Sequence, residues 1–405
     1  MTSVQRNISI YPWFRMAADG YAWIPVFFLY MNTTLSIEKV IQLSAIYYLS
    51  VFLLEVPSGY FSDRFGRRQT LMLSALSLIA AYVCFIVGLG FWWFAMGQFL
   101  LASGIAMQSG TDTALHYDSL QQLGRESEYQ QREAKAEQWG LTSLAIACLA
   151  GGLLGSLDLR LAYVYAFISA IVMAILVWRF KEPTHKQNSS LTSQSFAQVL
   201  VVCFGKLRKP KLLWLFVFSV VMYAIAHIVF ELYQPYLTLV HLPDMVSQLD
   251  TPQLSGLVIA ISMFGGALGA RISTSWQTKL GLAGILAVGM VIQLSIVAAM
   301  AYSVSLLVVI MICWRNFPMA FVHAPIRAAI APHISSSHRA TYLSLQGLAD
   351  RLFFALMLLT LAAGMNSGSA VKHETLQTIL LSCLVVGLLL SVLLWVFKRG
   401  LRDSG

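Results

Sequence analysis

The sequence predicts an all-α membrane protein of twelve transmembrane helices, arranged as two pseudo-symmetric six-helix bundles. Of its 405 residues, 58% are hydrophobic and only 11% are charged, against about 25% charged in a typical soluble chain. The apolar residues gather in twelve stretches, each close to the ~20 residues that cross a bilayer as a helix. A long polar interval, Lys181 to Lys211, separates six stretches from six. Lipid-exposed backbone must satisfy its own hydrogen bonds, which selects helices over open sheets, and the ten-residue alternation of a membrane barrel is absent.

The first six spans are expected at 8–31, 37–60, 69–89, 92–119, 137–156 and 161–180. The second six are expected at 212–239, 253–275, 281–302, 304–332, 340–364 and 374–397. Span 1 contains Arg15 and Asp19 and lacks a small-residue cleavage site, so it reads as a retained helix and not as a signal peptide. Trp92 and Trp93 open span 4 and suit the aromatic belt of a membrane interface. The expected bundles are therefore 1–180 and 212–405, joined by a cytoplasmic linker, 181–211.

Basic residues set the orientation. With both termini cytoplasmic, only Lys39, Arg160 and Lys372 lie outside. Arg15, Arg315, Arg327 and Arg351 fall within spans, and every other Lys and Arg of the 27 lies inside. The positive-inside rule then gives a multi-pass protein of the cell inner (plasma) membrane. The net charge of +9 becomes a basic skirt beside anionic lipid, and no nucleic acid partner is required. In the linker, Thr184 to Gln194 reads as a flexible connector. Ser195 to Leu207 carries apolar residues at helical spacing and ends in a basic run, the pattern of a helix lying on the cytoplasmic leaflet.

Cys84, Cys148, Cys203, Cys313 and Cys383 sit in apolar runs without metal-ligand spacing, as packing residues do. The eight histidines form no zinc-type pair. With no phosphate-cradling glycine loop and no nucleophile elbow, the chain is expected to be no enzyme and to use no cofactor or metal.

Between spans 2 and 3 runs Gly59-Tyr60-Phe61-Ser62-Asp63-Arg64-Phe65-Gly66-Arg67-Arg68. The loop must turn tightly at the membrane edge. Gly59 and Gly66 permit close approach and unusual backbone angles, while Asp63 and Arg67 can form charge-assisted contacts. This run resembles the cytoplasmic signature between helices 2 and 3 of the major facilitator superfamily, with Gln69 where a third basic residue is frequent. Leu53-Leu54-Glu55-Val56-Pro57-Ser58 is similar to the run in bacterial drug-transporter-like members. Six plus six helices and cytoplasmic termini extend the resemblance over essentially the whole chain. It implies that Gly59, Asp63, Gly66, Arg67 and Arg68 form a gating latch, with Asp118 as partner. Two antiporter signatures are reduced: Gln98 stands where a helix-4 arginine is usual, and only Gly151-Gly152 remains of the helix-5 pattern.

An ionisable group in hydrocarbon is costly unless it faces a cavity or a partner. Tyr11, Arg15 and Asp19 follow one another at i,i+4 on span 1, with Gly20 and Pro25 loosening the helix beyond. Asp112 and His116 repeat the spacing on span 4, as do His227 and Glu231 on span 7. Arg315 lies on span 10, and Asp350 with Arg351 on span 11. The resemblance implies that helices 1, 4, 7 and 10 line the pathway. Asp19, Asp112 and Glu231 are then proton-coupling candidates. Arg15, Trp23, His227, Tyr233, Trp314, Arg315, Asp350 and Arg351 are substrate-binding candidates. Interhelical ion pairing is the competing reading for every charge among them.

The sequence thus points to a secondary active transporter of a small organic solute, working by alternating access. Expected partners are the solute, protons and the bilayer, with the chain a monomer. Proton-coupled efflux of an amphipathic compound is the first reading. Uptake of an organic anion, including a carboxylate metallophore or siderophore, is the alternative, and a non-transporting sensor or scaffold is the reading from another class.

Overall fold

A computed structural model describes residues 3–183, 205, 207–241, 248–334, 336–365 and 371–397. The described residues form helices and no strands. Nine of these helices are long and apolar enough to cross a membrane. The number falls short of twelve because spans 1 and 4 are broken and the helices on either side of Gly281 are counted as one. The connector 184–194 lies outside the described residues, and so does the amphipathic segment 195–207 apart from residues 205 and 207.

The chain divides into two compact units. Unit 1 holds residues 1–187, 249–260 and 358–368. Its helices are α1 (Ser3–Ala18), α2 (Phe27–Asn32), α3 (Ile37–Phe65), α4 (Arg67–Val87), α5 (Phe91–Gln108), α6 (Thr111–Gln122), α7 (Tyr129–Leu157) and α8 (Leu159–Arg179). Small residues let these helices approach closely, as is usual where lipid removes the hydrophobic drive for association. Gly97 faces the Phe85 ring, Gly104 faces Leu78, and Ser74 Oγ donates to Gly104 O at 2.6 Å. Toward α1, Ser143 on α7 donates to Met16 O and Ser169 on α8 to Ala17 O.

In unit 1, three sequence expectations differ from the observed helices. Span 1 is not one helix: α1 stops at Ala18 and residues 19–26 wind through turns before α2. Gly20 lies so close to Ser169 that a Cβ would overlap its hydroxyl, and the Ala17 carbonyl accepts both that hydroxyl and the Gly20 N–H. Span 4 breaks into α5 and α6 at Ser109–Gly110, where Gly110 takes φ +75°. Span 5 begins earlier than expected, at Tyr129 and not at 137, so a polar stretch read as loop belongs to α7.

Unit 2 holds residues 188–248, 261–357 and 369–405. It contains α9 (Pro210–Leu237), most of α10 (Thr251–Tyr302), α11 (Leu306–Cys313), α12 (Asn316–Ile330), most of α13 (Ser336–Ala363) and α14 (His373–Val396). Spans 8 and 9 are two helices within the range given for α10, meeting at Gly281, where the backbone is not helical (φ +67°, ψ 176°). Span 10 breaks between α11 and α12 at Trp314–Arg315. α9 packs on α14 through a hydrogen bond from Trp214 Nε1 to Leu394 O, 2.7 Å. At its other end, Tyr236 OH donates to Ser303 O and accepts from Ser305 N.

Candidate functional site

In unit 1 the helical repeat builds two stacked rungs across three helices. In one rung, Arg15 Nη1 on α1 donates to Asp112 Oδ2 on α6 at 2.7 Å, and Arg15 Nη2 donates to Glu137 Oε2 on α7 at 2.8 Å. The same Nη2 lies 3.3 Å from Asp19 Oδ2. One turn away on every helix, Tyr11 OH donates to Glu133 Oε1 at 3.1 Å, and Glu133 Oε2 meets His116 Nδ1 at 2.6 Å. The Tyr11 and His116 rings stack at 4.0 Å.

Asp112 is nearly sealed, its side chain 4% exposed, whereas Glu137 is 55% exposed. The break before α6 frees the Thr113 N–H to donate to Asp112 Oδ1 at 2.8 Å. Gly140 leaves room for Asp19: a Cβ there would collide with Asp19 Oδ2. Three carboxylates therefore share one guanidinium. Full ionisation leaves surplus negative charge in a partly desolvated place, which a bound proton or another cation relieves. The sequence reading missed Glu133 and Glu137. The signal that marks them is their own i,i+4 spacing, which matches Tyr11/Arg15 and Asp112/His116.

In unit 2 the break before α12 presents Arg315, 5% exposed. Its guanidinium carbon lies 4.8 Å from the Phe230 centroid and 5.0 Å from the Tyr233 centroid, a cation–π seat between two α9 rings. Further along α9, His227 stacks on Tyr223 at 3.6 Å, with its Nδ1 3.0 Å from Tyr223 O. His227 also meets Phe354 of α13 edge-on at 5.6 Å. Asp350, one turn from Phe354, is buried, as is Glu231 on α9. Arg351 is half-buried. Trp314 packs over Gly265 and against Phe317, a different set of neighbours from that of Arg315. Trp23, in unit 1, sits edge-on to Tyr21 and Phe27, whereas the Arg15 rung is built from Asp19, Asp112 and Glu137.

The signature loop is organised around a residue that the sequence assigned to the linker. Glu182 Oε1 accepts from Arg67 N at 2.7 Å and its Oε2 from Arg68 N at 2.8 Å, so a carboxylate caps the positive end of α4. Gly66 has φ +104°, and a Cβ on it would press on that carboxylate. Arg68 Nη2 donates to Trp178 O at 3.0 Å. Arg67 pairs with Asp63, donates to Ser62 Oγ at 2.9 Å and lies 3.5 Å from Asp118. Gly59 differs from the expectation: a Cβ there meets nothing within 4 Å, so close approach is confined to Gly66. Asn7 fastens the same segment, donating to Lys181 O and to Ser119 Oγ while accepting from Lys181 N. No group of metal-ligating side chains occurs among the described residues.

Residues 14–358 match the family model described as Major Facilitator Superfamily. No curated protein sequence matches. Among solved structures, the chain is similar to the crystal structure of nucleoside transporter NupG, with 15% identity, TM-score 0.74 and 100% of each chain covered. It is also similar to a bacterial homolog of the human lysosomal transporter Spinster, with 16% identity, TM-score 0.70, and 100% of this chain and 98% of that one covered. The POT family transporter PepTSo aligns with 12% identity, TM-score 0.69 and 99% of each chain covered. At such identities the likeness shows the fold.

Proposed function

We propose that this chain, which belongs to the Major Facilitator Superfamily, is a proton-coupled secondary transporter that expels an amphipathic organic compound across the inner membrane by alternating access. The single observation that carries the coupling assignment is the sharing of Arg15 by Asp112, Glu137 and Asp19. A site with more carboxylates than fixed cations can exchange its proton for another charge as its exposure to water changes. In this reading Asp19 and Asp112 are coupling residues, joined by Glu137. Asp63, Arg67 and Asp118, with Glu182 behind them, form the cytoplasmic latch. The termini face the cytoplasm, in keeping with the basic residues of the polar segments.

A second reading, uptake of an organic anion such as a carboxylate metallophore, is favoured by one observation: Arg315 is buried between two aromatic rings. Planar, charged solutes suit such a seat. Solved structures of similar fold include a nucleoside transporter and a peptide transporter. Reconstituted vesicles separate the readings. With an imposed pH gradient, a fluorescent amphipathic amine should move against its own gradient while protons move the other way. Movement of organic acids alone would favour the second reading, and no proton-linked flux of either class would remove the proposal and leave a sensor or scaffold.

A further inference from the structure

The polar end of α9 borders a groove of about 740 Å³ between α9 and α14. Its lining includes Pro210, Leu213, Trp214, Val217, Leu393 and Phe397, and every lining residue is apolar. Trp214 forms the floor, 5% exposed; its indole N–H is already spent on Leu394 O and its ring stacks on Phe218 at 5.3 Å. The groove surface is therefore mostly apolar, and the indole offers no free donor to a solute. Along α9 the lining runs from Pro210 to Val221, about 16 Å at 1.5 Å per residue. That is close to half of a ~30 Å hydrocarbon core, the depth of a single leaflet.

Among the described residues, charge sits at one end of the groove. Arg208 and Lys209, both exposed, directly precede Pro210 where α9 begins, and the opposite wall finishes at Val396 and Phe397, where α14 ends. An occupant must thus be a hydrocarbon chain about one leaflet long with a negative group at its end. We propose that the groove binds an anionic phospholipid, with one acyl chain along α9 and α14 and the phosphate headgroup on Arg208 and Lys209. Two basic side chains beside a membrane surface are sufficient to select an anionic over a zwitterionic headgroup.

The test uses the full chain purified in detergent, titrated with dioleoyl phosphatidylglycerol, dioleoyl phosphatidylcholine or glycerol 3-phosphate and read by native mass spectrometry. Phosphatidylglycerol should bind at least about ten-fold more tightly than phosphatidylcholine. Arg208→Gln with Lys209→Gln should reduce it to the phosphatidylcholine level, whereas Arg271→Gln with Lys279→Gln should leave it unchanged. Val217→Trp, checked for an intact melting transition, should block both lipids with the charges in place. Equal affinity for the two lipids, equal loss in the Arg271/Lys279 variant, or retention by both site variants would overturn the proposal. Glycerol 3-phosphate binding as tightly as the lipid would assign the charges to a free phosphate ester. A dimer dissociated by Val217→Trp would assign the groove to a second copy of the chain, and either of these two results also overturns the proposal.

Discussion

Arg15 and Asp112 meet at 2.7 Å between the first helix and the start of α6, and the same guanidinium serves Glu137 and Asp19. Such a pair contributes little net stability while intact, since desolvation offsets attraction, but removing one partner strands the other. Arg15→Gln should therefore destabilise the protein by about 3 kcal/mol, read as a lowered melting temperature in detergent. Adding Asp112→Asn should restore most of it. A double variant no better than the single would show that Asp112 does not depend on Arg15.

The second rung makes a separate prediction. His116 and Glu133 share one contact and Tyr11 supports it, so His116→Gln and Glu133→Gln act on a single unit. Each should slow transport, and the double variant should be about as slow as the worse single one, because neighbours in one network are not additive. Multiplied effects in the turnover assay would dissolve the unit.

Glycines supply a contrast with opposite signs. Gly140→Ala puts a methyl group where the Asp19 carboxylate lies, while Gly59→Ala meets open space. Gly59→Ala should leave transport unchanged and raise stability by up to about 1 kcal/mol through helix propensity. Gly140→Ala should lower transport at least several-fold at matched expression. Equal behaviour of the two would separate Gly140 from the site.

Glu182 caps the backbone of Arg67 and Arg68. Glu182→Ala should cost about 1–2 kcal/mol, as lost helix caps do, and should raise hydrogen exchange at residues 67–70 specifically. Unchanged exchange there would mean that the Arg68 contacts to the end of α8 suffice to hold the loop.

The sequence made spans and charge faces legible because hydropathy and the i,i+4 repeat are local properties. Arg15, Asp19, Asp112 and His116 stood out as charges inside apolar runs. Glu133 and Glu137 did not: α7 begins in Tyr129-Gln130-Gln131-Arg132, a polar stretch that hydropathy reads as loop. The break after Ala18 was signalled in part by Gly20 and Pro25, whereas those at Ser109–Gly110 and Trp314–Arg315 fall in short polar interruptions, Gln108 to Thr113 and Arg315-Asn316, too brief to divide a span by hydropathy. Glu182 lies over one hundred positions from Arg67, and no periodic signal connects a linker carboxylate with the loop that it caps.

The most direct test of the coupling assignment is dye accumulation in reconstituted vesicles with Asp19→Asn, driven by an imposed pH gradient, beside exchange of labelled for unlabelled dye without a gradient. Asp19 touches the shared guanidinium at 3.3 Å and lies where the first helix unwinds. Accumulation should be lost while exchange persists, because exchange needs only a reversible loaded carrier. If the variant concentrates the dye as well as the native protein does, the carboxylates around Arg15 do not couple protons to transport through Asp19, and the coupling assignment is contradicted.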